Sequence, residues 1–234
     1  MQSLPAAVIF DLDGCLVDSE PLCIRAIARE IQALGVGDIS PEDIRARFLG
    51  VSMRVICDEV AKQTGKSCPD DFVERVESQL FVDYQNRLKQ IDGAAVMLAT
   101  LRKQGVKMAI ATGGSVKRMT QTLTMGGLSQ WFAGRAFSAD QVANGKPAPD
   151  LFLLAADEIG VPPESCVVLE DSPHGIQGAV SAGMRAVGFV GGAHLEGIRD
   201  AHAEKLLGKG ATTIAHDMTE VTHALLSAAP CSDD

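Results

Sequence analysis

No apolar run in this 234-residue chain approaches the length of a membrane-spanning helix, so no integral membrane segment is expected. Residues Met1 to Pro5 lack the basic-then-apolar pattern of a secretory signal and pass straight into an apolar strand, which makes a cytoplasmic location the expectation. Paired short cysteine spacings are missing too. Cys15, Cys23, Cys57, Cys68, Cys166 and Cys231 match neither a zinc site nor a thioredoxin-like motif, and they read as reduced, mostly small core residues. Positive charge is in short supply: 21 Lys and Arg face 30 Asp and Glu, a formal net charge of −9. That balance argues against nucleic acid and anionic membranes as partners, and an anionic substrate must be captured by local donors against the overall field. Long low-complexity tracts are also absent. With 46% hydrophobic residues the chain can bury a substantial core, as one large domain or as a core plus a smaller one.

What the chain does have is a carboxylate pair at the end of its first apolar run. Ala7 to Phe10 has the length and β-branched content of a buried strand, and Asp11-Leu12-Asp13-Gly14 follows as a turn. Side chains two apart on an extended chain point the same way, so both carboxylates should face one spot at the strand's carboxyl end. Ligands bind at that edge of open α/β sheets. Two carboxylates in close proximity repel and call for a cation, a shared proton, or both. Taken alone, Asp-Leu-Asp-Gly also suits a plain turn. A calcium loop is a weaker reading, because no further oxygen ligands or terminal Glu follow at the required spacing.

Leu16 to Gln90 reads as helix throughout. Ile24, Ile27, Ala28, Ile31 and Leu34 fall at helical spacing, Ser40-Pro41-Glu42-Asp43 is a helix start capped by Ser40, Val55, Ile56 and Val60 suggest a third helix, and Phe72 to Leu88 a longer fourth. From Ile91 the pattern alternates. Strands are expected at Lys107–Ala111, near Ala136-Phe137, at Cys166–Leu169, at Arg185–Val190 and, weakly, at Thr212–Ala215. Helices are expected at Ala94–Gln104, Val116–Met125, Asp150–Ile159, up to Gly183, and near Thr219–Ala228, with a frayed end at Pro230–Asp234. Such alternation implies an α/β, doubly wound parallel sheet, a Rossmann-like core. The stretch between the first strand and the alternation is far longer than an ordinary crossover. An inserted all-helical cap domain over 17–90, with the core formed by 1–16 and 91–234, is the economical explanation.

Three distant pieces can meet the needs of the pair. Thr112-Gly113-Gly114-Ser115 follows a strand and opens a helix, where backbone amides and the helix N-terminus favour an oxyanion; a plain capped helix start is the competing reading. Lys146 precedes Pro147-Ala148-Pro149, whose prolines stiffen the loop. Glu170-Asp171-Ser172 ends a strand with two carboxylates, suited either to a helix N-terminus or to a Mg²⁺ shell of oxygens. Each signal is weak alone, but in a parallel sheet all four lie on one edge.

Together, Asp11-Leu12-Asp13-Gly14, Thr112-Gly113, Lys146-Pro147 and Glu170-Asp171-Ser172 resemble the four motifs of the haloacid dehalogenase-like hydrolase superfamily, in order and across nearly the whole chain. Leu16-Val17-Asp18-Ser19-Glu20, leading into the helical segment, is similar to its phosphoglycolate phosphatase and β-phosphoglucomutase-like branch. The resemblance implies that Asp11 attacks phosphorus and that Asp13 is the general acid and base. It implies that Thr112, the Gly113 amide and Lys146 hold the phosphoryl oxygens. It places Mg²⁺ on the Asp11 carboxylate, the Asp13 backbone carbonyl and Asp171, with Glu170 direct or through water.

Haloacid dehalogenases resembling this family lack an acid at the Asp13 position, so Asp13 favours phosphate-ester chemistry. The β-phosphoglucomutases place a His in the first cap helix, where this chain has Cys23, and an Arg after Gly-Val-Ser, where it has Met53 with Arg54 next. Arg54 and Arg47 are candidate specificity residues of the cap, against the reading that they are solvated helix arginines. The expectation is a Mg²⁺-dependent phosphatase of a small phosphorylated metabolite, a sugar phosphate or sugar-acid phosphate, acting as monomer or homodimer. A sugar-phosphate mutase and a non-catalytic phosphate- or metal-binding module are the alternatives.

Overall fold

A computed structural model describes residues 4–35, 40, 43–45, 53–65 and 67–227. Arg47 and the Pro230–Asp234 tail, expected to fray, lie outside these residues, and Arg54 is described in its backbone only. Among the described residues six strands form one parallel sheet: β1 (Ala7–Phe10), β2 (Lys107–Thr112), β3 (Ala136–Ser138), β4 (Cys166–Glu170), β5 (Arg185–Phe189) and β6 (Thr213–Ala215), in the order β3-β2-β1-β4-β5-β6. β1 is central. Ala7 pairs with Lys107 of β2 on one side and with Cys166 of β4 on the other.

The strands are continuous apolar runs because both faces are covered. Val8 and Phe10 join one buried cluster, Ala7 and Ile9 another, as a period of two requires. The first cluster is closed by α4 (Ala94–Lys103), α5 (Val116–Met125), α6 (Ser129–Phe132) and α10 (Met218–Leu226); Phe10 meets Phe132 edge-on at 5.9 Å between ring centroids. The second is closed by α7 (Asp150–Glu158), α8 (Pro173–Ser181) and α9 (Arg199–Gly208). Each fully buried Phe in these layers stabilises the fold by roughly 1.5–3 kcal/mol relative to an exposed one.

Between β1 and α4 stand α1 (Glu20–Ala33), α2 (Met53–Thr64) and α3 (Phe72–Arg87), with a third core of their own built from Ile24, Ile27, Ile31, Ile56, Val60, Phe72, Val76 and Leu80. Arg75 Nε reaches Glu30 across α3 and α1 at 3.1 Å. Ser40 and Asp43 cap reciprocally: Asp43 N donates to Ser40 Oγ at 3.1 Å, and Ser40 N to Asp43 Oδ2 at 3.0 Å.

The expectation of helix throughout Leu16 to Gln90 fails at both ends of that segment. Asp18 N donates to Lys89 O and Ile91 N to Leu16 O, each at 2.9 Å, so the chain enters and leaves the helical insertion as a short two-stranded ribbon. Pairing of extended backbone across the two crossings outcompetes a helical start there. α6 and α9 have no counterpart among the expected helices.

Candidate active site

Three strand ends and the loop carrying Lys146 place the four motifs around one cavity of about 520 Å³, lined by Asp11, Asp13, Thr112, Gly113, Lys146, Glu170 and Asp171 on the sheet side and by Glu20, Cys23 and Glu77 on the side of α1 and α3. Asp11 and Asp13 are both buried, 7% and 8% exposed. They share the cavity but not a partner, a finer arrangement than the two-residue spacing conveys. Asp11 Oδ1 accepts from Lys146 Nζ at 2.6 Å. Asp13 Oδ1 accepts from Ser19 Oγ and lies 3.1 Å from Arg118 Nη2.

Lys146 also donates to Glu170 Oε1, while Glu170 Oε2 accepts from Ser172 N at 2.7 Å. Both Glu170 oxygens are thus engaged within the protein, and the residue is 1% exposed. Gly175 makes room for it: a Cβ there would sit 1.8 Å from Glu170 Oε1. Burial opposes the charge on Lys146, but Asp11 and Glu170 outweigh it and hold the ammonium above the ordinary lysine range.

Thr112 ends β2, buried, and its Oγ1 accepts from Gly114 N at 3.2 Å. Ser115 caps α5 by accepting from Arg118 N at 3.0 Å, and its hydroxyl donates to Glu77 Oε1 of α3 at 2.6 Å. Among the described residues a Cβ on Gly113 would meet nothing within 4 Å, and Gly113 lines the cavity. The N-terminus of α5 therefore looks into the space beside Asp11, where a helix dipole favours an anion.

Three residues close the site that the sequence did not single out. Arg118 of α5 spans the two sides: its Nη2 is 3.2 Å from Glu20 Oε1 as well as near Asp13, and Nη1 donates to Cys23 Sγ at 3.4 Å. His194 Nε2 is 3.0 Å from Asp171 Oδ2, and His202 Nε2 lies 2.7 Å from the Asp171 carbonyl. Nothing in the spacing of an arginine on a helix or of two histidines in a loop and a non-periodic helix distinguishes them beforehand.

The electrostatics call for a cation. Burial raises the Asp11 carboxyl well above its usual range, Lys146 pulls it back, and the Glu170 and Asp171 carboxylates push it up again. Asp171 is likewise pushed up, to about 6, by burial first, with His194 opposing and Glu170 and Glu20 adding. One ammonium does not neutralise three converging carboxylates. Ligand atoms of Asp11, Cys15 and Asp171 lie within 4.8 Å of one another, close enough to share an ion. The carboxylate oxygens suit a hard divalent cation such as Mg²⁺; the Cys15 thiol, driven well up by burial and by Asp171, stays protonated and adds no charge.

Comparison with known proteins agrees with this arrangement. A family profile described as haloacid dehalogenase-like hydrolase matches residues 8–189. The phosphorylated carbohydrates phosphatase of Thermotoga maritima is 33% identical, over 77% of this chain and 83% of its own length. The 6-phosphogluconate phosphatase of Escherichia coli is 29% identical over 90% of each chain. The crystal structure of a conserved haloacid dehalogenase-like protein from Agrobacterium tumefaciens superposes with a TM-score of 0.79 at 34% identity, covering 94% of this chain and 97% of that one. With the sheet order, the four motifs and the profile in agreement, this chain belongs to the haloacid dehalogenase-like hydrolases.

Proposed function

We propose that this protein is a Mg²⁺-dependent phosphatase of small phosphorylated metabolites, a sugar phosphate or sugar-acid phosphate, working through an aspartyl-phosphate on Asp11. The observation that carries this reading is the separate partnering of the two carboxylates. Asp11 faces Lys146 and the α5 N-terminus, a place for a phosphoryl group. Asp13 is turned to Ser19 and Arg118, fixed beside that place without sharing its lysine.

In the first step a carboxylate oxygen of Asp11 attacks phosphorus, the bond from phosphorus to the ester oxygen breaks, and Asp13 gives that leaving oxygen a proton. In the second, Asp13 takes a proton from water as the water oxygen attacks the same phosphorus, and the bond to Asp11 breaks with release of phosphate. Covalent catalysis splits the displacement in two, and a positioned acid contributes about 10²–10⁴-fold. Thr112, the Gly113 amide and Lys146 hold the phosphoryl oxygens; Glu170 anchors Lys146 and would contribute to the metal site directly or through water. Asp11, the Asp13 carbonyl and Asp171 would hold Mg²⁺, which when bound offsets the charge of the carboxylates and of the phosphoryl oxygens. Residues 17–90 form the cap and 1–16 with 91–234 the core, and Arg54 and Arg47 of the cap are specificity candidates.

Relatives named for phosphorylated carbohydrates and for 6-phosphogluconate support the substrate class. Cys23 weighs against the mutase. Burial lifts its thiol to about 12, with Arg118 opposing and Glu20 adding, so it offers an uncharged thiol where the mutases have a histidine, and a cap cation that would retain a bisphosphate intermediate is missing from that position. The test is phosphate release from a panel of sugar and sugar-acid phosphates with Mg²⁺. Asp11→Asn should abolish release and Asp13→Asn reduce it severely. Undiminished turnover by Asp11→Asn refutes the covalent route, isomerisation of β-glucose 1-phosphate to glucose 6-phosphate without release identifies the mutase, and binding without turnover across the panel identifies the non-catalytic module.

A further inference from the structure

We propose that His194 is a positioning residue for Asp171, setting how that carboxylate is presented to a bound divalent cation; this rests on the reading of Asp171 as a metal ligand. His194 stands on the turn Ala193–Leu195 beyond β5, 3% exposed. An ionised carboxylate can only accept, so His194 Nε2 is the donor to Asp171 Oδ2 across 3.0 Å. His202 Nε2 meets the carbonyl of the same residue at 2.7 Å, so both polar ends of Asp171 are gripped from one segment.

The fold goes to some length to seat this ring. A Cβ on Gly192 would lie 2.6 Å from His194 Cε1 and 2.7 Å from Nδ1, and a Cβ on Gly14 would lie 2.8 Å from Cε1 and 2.2 Å from Asp171 Oδ2. Glycine at both positions leaves a slot the width of an imidazole. The turn is fastened on its outer side as well: Ala193 N donates to Asp18 Oδ1 at 2.9 Å, and Arg45 Nη1 to Glu196 O at 3.2 Å. The ring is thus held by packing and backbone anchors that need no metal.

Its Nδ1 is buried and, among the described residues, has no hydrogen-bond partner. A side chain kept here for packing alone would be better apolar, since an unsatisfied buried nitrogen is costly. What the histidine adds over a leucine is one N–H aimed at one oxygen of Asp171. That bond occupies a single lone pair and fixes the carboxylate plane, leaving the other oxygen available to a cation. Outer partners of this kind are worth about 10- to 100-fold in metal affinity.

The test is Mn²⁺ binding to the full chain without substrate, followed by electron paramagnetic resonance of the free ion, beside the melting temperature of the metal-free protein. His194→Leu should weaken Mn²⁺ about 10- to 100-fold at a temperature where the metal-free variant is still fully folded. His194→Asn, which restores an N–H, should recover part of the loss. Parental affinity in His194→Leu overturns the proposal, as does a fall in metal-free stability with affinity unchanged. Should His194→Leu fail to fold, Gly192→Ala displaces the ring and should weaken Mn²⁺ in the same way; parental affinity there overturns the proposal equally. Asp171→Asn separates the two levels. If it binds Mn²⁺ like the parent, the ligand reading falls and this proposal with it. If it abolishes binding while His194→Leu does not weaken it, only this proposal falls.

Discussion

Replacing Lys146 with Met should destabilise the metal-free protein severely, because the lysine is the cation between two buried carboxylates. Its ammonium bonds Asp11 Oδ1 at 2.6 Å and Glu170 Oε1, and the side-chain exposures of the three groups are 9%, 10% and 1%. Met matches the length of the stem and gives up only the ammonium, including its approach to Phe152, whose ring centre lies 5.2 Å from Nζ. The loss is therefore that of charge. Leaving one member of a buried pair uncompensated costs roughly 3–5 kcal/mol. For a chain of this size that lowers the melting temperature by about 6–20 °C. Urea unfolding of Lys146→Met at neutral pH, without metal, measures the cost. The double variant Lys146→Met/Glu170→Gln makes the reasoning specific: removing the orphaned Glu170 charge should return a large part of the loss, whereas Glu170→Gln alone is destabilising. Parental stability in Lys146→Met, or no recovery in the double variant, would refute the account of Lys146 as the keystone of the charge cluster.

Gly175→Ala should unfold more easily and release phosphate more slowly, because its Cβ would fall 1.8 Å from Glu170 Oε1 and push the carboxylate off Lys146; unchanged phosphate release in that variant contradicts the anchoring role. The metal-free protein should also lose stability as pH rises through the weakly acidic range. Asp171, raised from 3.8 to about 6 by burial before anything else, favours the folded state while protonated and ceases to as pH passes from 3.8 through about 6. His194, raised by Asp171 against its burial, favours the folded state below 6.5 and loses that contribution as pH rises beyond it. Both run in one direction, as does Asp11, raised by burial, while His202, lowered by burial, runs against them; melting temperatures from pH 5 to 8 should therefore fall without metal, and saturating Mg²⁺ should flatten the slope, whereas a metal-free protein whose stability rises over that range contradicts the crowding argument.

The sheet was readable because its strands are covered on both faces, which leaves unbroken apolar runs such as Ala7–Phe10 and Cys166–Leu169 with polar residues where the cover stops. The same stops carry the motifs, so fold and candidate site became legible together. α9 escaped because its buried residues are His202 and Leu206, which make no apolar stripe. α6 is four residues long, too short for any period to show. At Leu16–Asp18 and Lys89–Ile91 the deciding contacts lie some seventy residues apart in the sequence, and local pattern carries no trace of them. Arg118 posed the same difficulty in another form: its partners Asp13, Glu20 and Cys23 lie on other elements, and on its own helix it looks like any surface cation.

That two-stranded ribbon has a consequence for how such a protein can diversify. Since Leu16 and Ile91 are already hydrogen-bonded neighbours, the sheet behind them is indifferent to what is strung between. Lengthening or rebuilding the insertion changes the closure entropy of that loop only logarithmically. On the proposed division, the chemistry at the strand ends and the shape of what is admitted to it hang on separate parts of one chain, joined by two backbones and by side-chain bridges such as Arg118 to Glu20 and Ser115 to Glu77, so that mutation away from those bridges can explore new substrates while the machinery stays intact.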